Sequence, residues 1–113
     1  MAHQVPEAMK HKIIALLQAL FPGAKIYLYG SRARQTNHDR SDIDLAIDTG
    51  KAENRHAVGE AKEILAATDI PYKIDLVDLN FVQENFRDVI LREGVIWNQE
   101  YYNPCVVRNV SSP

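Results

Sequence analysis

Asp42, Asp44 and Asp48 fall in the run Asp42-Ile43-Asp44-Leu45-Ala46-Ile47-Asp48, where apolar residues alternate with acidic or small ones. Period-two alternation predicts a strand with Ile43, Leu45 and Ile47 on a core face and Asp42, Asp44, Ala46 and Asp48 on the other. Acidic residues are depleted in strands. Two carboxylates two positions apart on one face stand about 6 to 7 Å apart between Cα atoms and repel, which calls for a cation between them. A hydrated sheet face would explain the acids taken alone, but two other segments bear on them. Gly30-Ser31 ends an earlier β-branched and aromatic run and opens a helical turn, a geometry that aims backbone N–H groups and a hydroxyl at an anion. Arg32 and Arg34 beside it are candidate phosphate partners. Asp75 lies in a third apolar run, Lys73 to Leu79. Three strand carboxylates below an anion-binding turn suit Mg²⁺ that receives a triphosphate, because Mg²⁺ takes a few carboxylates plus phosphate oxygens.

The elements that must position these residues can be read along the chain. Val5, Met9, Ile13, Leu16, Leu17 and Leu20 recur at helical spacing, with Pro6 at the start and Pro22-Gly23 as the stop. Lys25 to Tyr29 reads as a strand, Ser31 to Gln35 as a short helical turn, and Thr36 to Arg40 as a polar connector. After the acidic strand and Thr49-Gly50, Ala52 to Thr68 predicts a helix burying Ala57, Val58, Ala61, Ile64 and Leu65. Lys73 to Leu79 is a strand, and Phe81 to Arg92 a helix with Asn80 and Gln83 as a capping pair and Gly94 as its stop. Val95 to Trp97 predicts a short fourth strand. The order implies an α/β (α+β) fold, a small β-sheet with helices packed on it. Residues 1–98 are expected to form the domain and 99–113 an irregular tail.

Composition narrows the function further. The chain has 113 residues, 13 Lys plus Arg against 15 Asp plus Glu, and a net charge of -2, which argues against a protein held on nucleic acid by bulk electrostatics. No apolar run approaches the ~20 residues of a membrane span. The one cysteine, Cys105, cannot make an intrachain disulfide, and no signal-peptide pattern opens the sequence, so a cytoplasmic protein is expected. Asp48-Thr49-Gly50 is the triplet of aspartic proteases, but three helical segments contradict their all-β fold and the triplet also serves as a strand-ending turn. His3, His11, His38 and His56 have no metal-ligand spacing, Asp78 alternates away from Asp75 as a turn residue, and Trp97, Tyr101 and Tyr102 read as packing of the chain's end.

Gly30-Ser31, ten further residues, then Asp42-Ile43-Asp44 resembles the Gly-Ser-x10-Asp-x-Asp signature of the minimal nucleotidyltransferases, the small branch of the DNA polymerase β-like superfamily. The strings Tyr-Gly-Ser-Arg-Ala-Arg, Ser-Asp-Ile-Asp-Leu-Ala-Ile and Lys-Ile-Asp-Leu-Val-Asp-Leu extend the likeness across roughly residues 5 to 97. The resemblance implies that family's fold with a small mixed sheet. It also implies a two-metal transfer in which an acceptor hydroxyl attacks the α-phosphate of a nucleoside triphosphate, most simply AMP from ATP. By that resemblance Asp42 and Asp44 would ligate both Mg²⁺ ions, Asp75 would join them at the ion nearest the acceptor, and Gly30 and Ser31 would hold the β and γ phosphates. The family usually closes its turn with Gly where this chain has Gln35, which bears on the 35–41 loop. The chain has no room for a substrate domain of its own, so a partner is expected. The resemblance implies an all-helical HEPN-domain toxin, adenylylated on a tyrosine by this protein as antitoxin. The alternative is a binding module that neutralises such a partner by contact. The tail Gln99 to Pro113 is apolar enough to dock on a partner or a second subunit.

Overall fold

A computed structural model describes residues 5–36 and 41–99. Most of the tail, with Tyr101, Tyr102 and Cys105, and also His3, His38 and most of the 35–41 loop lie outside the described residues.

Helix α1 (Glu7–Leu20) forms where the apolar stripe predicts it, with Ile13, Ile14 and Leu17 buried. Pro6 stands at its N-cap and its carbonyl accepts from the N–H groups of Met9 and Lys10, each at 3.0 Å. Strand β1 (Lys25–Tyr29) leads into the single-turn α2 (Ser31–Arg34), followed by β2 (Ile43–Asp48), α3 (Arg55–Ala66), β3 (Ile74–Asp78), α4 (Glu84–Glu93) and β4 (Val95–Ile96).

The four strands form one mixed sheet in the order β3-β2-β1-β4. β1 is antiparallel to β2 and β4, whereas β2 and β3 are parallel, the crossover between them being α3. Ile43, Leu45 and Ile47 are fully buried and join Ile26 and Leu76 against α1 and α3 in the main core. The opposite face is not left to water along its whole length. Ala46 is also fully buried there, in a second cluster with Tyr29, Leu79 and Ile90 of α4. Helix α4 covers that part of the acidic face, while Asp42 stays exposed and Asp44 and Asp75 half-buried.

Three local expectations are corrected. Ile64 is 39% exposed, because the stripe that faces the sheet runs through Ala61 and Leu65 and carries Ile64 past its edge. The helix after Asn80 starts later, at Glu84, and Gln83 makes no side-chain cap. Asn80 instead donates from Nδ2 to Asp48 Oδ1 at 2.7 Å, while Phe81 and Val82 turn back on the Asp78 carbonyl. Asn98, unremarked in the sequence, is fully buried and extends β4 by side chain: Oδ1 accepts from Ile26 N at 3.0 Å and Nδ2 donates to Ala24 O at 2.9 Å.

Candidate active site

The site is assembled at the Tyr29 end of β1, where the chain leaves the sheet. Gly30 has φ 77 and ψ -154, a region that side chains avoid, and this bend turns the strand into α2. A β-carbon on Gly30 would lie 2.5 Å from Asp44 Oδ2, so the glycine lets the turn rest directly on that carboxylate. α2 is held by Arg34 N to Gly30 O at 3.0 Å and by Thr36 N to Ser31 O at 2.9 Å. It ends on Gln35 with φ 62 and ψ 32, the left-handed conformation that glycine adopts at least cost.

Register brings the acids to the turn. Asp44 pairs with Tyr29 on one side and with Asp75 on the other, so the three side chains form a row on one face across β1, β2 and β3. Asp42 precedes β2 by one residue. Desolvation pushes the Asp44 carboxyl above the usual aspartate range, and the Asp75 and Asp42 charges push it the same way, while Arg34 and Arg32 pull it back. Burial, followed by the charges of Asp44 and Asp75, holds the Tyr29 phenol protonated well above the usual range. Its ring meets Phe86 of α4 edge-on, with centroids 5.8 Å apart.

The flanking cations are placed differently from one another. Arg34 is exposed and pairs with Glu93 at 3.2 Å, bridging α2 to the end of α4. Arg32, expected at the phosphates, is buried and donates from Nε and Nη2 to the Ser41 carbonyl at 3.2 and 2.9 Å. A cation that the sequence reading did not single out stands by the third acid: Lys62 Nζ lies 4.0 Å from Asp75 Oδ1. Its helical neighbours gave no signal, since the contact joins α3 to β3 through the crossover.

Among the described residues no three acidic, histidine or cysteine side chains close into a ready cage for a metal ion. The donor set still fits Mg²⁺, since it offers hard carboxylate oxygens only, in an open arrangement, and Asp44 carries a repulsion that a cation would relieve. Asp78 is spent on structure: buried at the other end of β3, it accepts from Glu53 N and Asn80 N at 2.6 and 2.9 Å. Asp48 accepts from Gly50 N at 2.8 Å, so Asp48-Thr49-Gly50 is the strand-ending turn. Among the described residues no helix is long and apolar enough to cross a membrane.

Comparison with known proteins agrees with this fold. The chain is 32% identical over 81 residues to the "Probable protein adenylyltransferase MntA" of Haemophilus influenzae, 72% of this chain and 71% of that one. To the "Protein adenylyltransferase MntA" of Shewanella oneidensis it is 33% identical over 86 residues, 75% of this chain and 61% of that one. Among solved structures, it superposes on a chain of a toxin-antitoxin complex with AMP-PNP with a TM-score of 0.68 at 30% identity, covering 90% of this chain and 84% of that chain. A tri-AMPylated Shewanella oneidensis HEPN toxin in complex with MNT antitoxin gives 0.64 at 25% identity, covering 94% and 83%. Residues 11–100 match the model of the family described as "Polymerase beta, Nucleotidyltransferase". By that match over most of its length, the chain belongs to the polymerase beta nucleotidyltransferase family.

Proposed function

We propose that the protein is a Mg²⁺-dependent adenylyltransferase that moves AMP from ATP to a tyrosine hydroxyl of a HEPN-type toxin, and thereby acts as its antitoxin. The observation that carries this reading is the seating of Gly30 against Asp44, with Asp75 in register beside it. A turn suited to anions and a pair of acids suited to cations meet at one point, as the transfer of a charged phosphoryl group needs. The relatives named as adenylyltransferases, and the neighbour bound to an AMPylated toxin, support the choice of nucleotide and acceptor.

In this reading the acceptor oxygen forms a bond to the α-phosphorus, the bond from that phosphorus to the bridging oxygen breaks, pyrophosphate leaves and the hydroxyl proton passes to solvent. Gly30 and Ser31 hold the β and γ phosphates from the turn, and Arg34 lends its exposed charge to them. Asp42, Asp44 and Asp75 would hold Mg²⁺, which when bound neutralises charge on the attacking and leaving oxygens. Residues 1–98 form the catalytic domain and the tail from Gln99 docks the partner. A reaction that draws on ATP belongs in the cytoplasm.

The test is to incubate the protein with ATP labelled on the α-phosphate, Mg²⁺ and a purified HEPN-type partner. Label on the partner, lost in Asp42→Asn and Asp44→Asn, is the expected result. A stable complex without label would replace this reading with neutralisation by contact.

A further inference from the structure

Arg32 follows the Gly-Ser turn directly, where an arginine looks like a phosphate ligand, yet its side chain is only 5% exposed. Nε and Nη2 converge on one acceptor, the carbonyl of Ser41, at 3.2 and 2.9 Å. The guanidinium carbon also lies 4.9 Å from the ring centroid of Tyr72. These contacts reach three separate parts of the candidate site. Arg32 itself belongs to α2, Ser41 abuts Asp42, and Tyr72 stands three residues before Asp75. The Ser41 and Tyr72 segments are also tied to each other, because Ile43 N donates to Lys73 O at 2.9 Å where β2 and β3 begin.

We propose that Arg32 is a positioning residue that sets the distance between the phosphate turn and the carboxylates of β2 and β3 without touching substrate. The inference rests on the transfer reading above and deepens it. The chemistry favours arginine in this role: its planar fork satisfies one carbonyl with two N–H groups while its flat face stacks on an aromatic ring. A lysine keeps the charge and loses both the fork and the stacked plane. The role also differs in kind from that of a phosphate ligand. Removing a ligand weakens binding of the triphosphate, whereas releasing a positioning residue misplaces the acids relative to a triphosphate that still binds.

The protein and its Arg32→Lys and Arg32→Ala variants would be compared in AMP transfer and in amide hydrogen exchange. In both variants kcat is expected to fall by about tenfold to a hundredfold, the effect of a displacement of about 1 Å, with KM for ATP within about twofold of the wild type. Exchange at the Ile43 amide quickens in both, while exchange at Ile47, farther along β2, is unchanged. A rise in KM that lysine rescues would overturn the proposal in favour of direct phosphate contact, and so would unchanged kcat or unchanged exchange at Ile43. If the Arg32 variants do not fold, the pair Tyr72→Phe and Tyr72→Ala decides by the same readouts. Phenylalanine keeps the stacking face and wild-type behaviour, and alanine reproduces the loss; equal behaviour of the two overturns the proposal. Should the wild type transfer nothing, the functional reading fails, and exchange at Ile43 alone decides the place of Arg32.

Discussion

Gly30 and Asp44 touch across the β1–β2 pair so closely that the space where a side chain would begin at residue 30 is already taken by Asp44 Oδ2, 2.5 Å away. The positive φ of 77 at Gly30 excludes a side chain for a second reason. Gly30→Ala must therefore both strain the backbone and turn the Asp44 carboxylate out of its place. It is expected to cost about 1 to 3 kcal/mol of stability and to abolish transfer. Thermal unfolding and the label assay check both; a variant as active as the wild type would separate the turn from the acids.

Asp44→Asn is expected to lose transfer by about a thousandfold or more while keeping the fold. Its stability should also depend differently on pH. Because the folded-state pKa of Asp44 is raised, the unfolded chain gives up this proton first as pH rises. Stability from this group is therefore full below the ordinary aspartate pKa, declines up to the raised value and stays lower above it. Asn has no such decline, so the variant melts at or above the wild-type temperature at neutral pH, and the advantage disappears in acid. Melting curves measured across acid to neutral pH test the sign.

Gln35 is the only non-glycine residue with positive φ among those described. Gln35→Gly should stabilise the protein by about 1 kcal/mol, raising Tm by about 4 °C, since the exposed side chain gives little in return for the strained backbone. A lower Tm would mean that Gln35 makes a compensating contact.

Arg34→Ala removes an exposed cation that pairs with Glu93 and pulls the Asp44 carboxyl down. Surface pairs contribute little, so stability should change by no more than about 0.5 kcal/mol. KM for ATP should rise about fivefold, equivalent to about 1 kcal/mol. Steady-state kinetics at varied ATP, with a chemical denaturation curve, distinguishes this from a folding defect.

Much of this arrangement is legible from residue types. The alternation of Ile43, Leu45 and Ile47 with acids announces both a core face and a charged one, and a glycine-serine pair at a strand end announces the turn. The likeness of the three strings to one family then places Asp75 beside Asp44, which the parallel register bears out. What was hidden depends on contacts made across the fold. One partner of Arg32 is a backbone carbonyl, which no residue type advertises. Lys62 reaches Asp75 only because α3 lies along β3. Asn80 has the spacing of a cap, but its side-chain amide donates to Asp48 of β2. Ile64 carries the right chemistry for a core and misses it by the angle at which α3 meets the sheet.

The parallel pairing of β2 with β3 also bears on how the protein folds. An antiparallel neighbour can arrive through a short turn, but a parallel one must wait for a crossover, here all of α3, to close. Bringing Asp44 beside Asp75 thus requires loop-closure entropy to be spent before those strands reward it. The repulsion between the two acids opposes that same pairing. A cation held by both acids would favour the folded sheet as well as the chemistry, drawing β3 against β2.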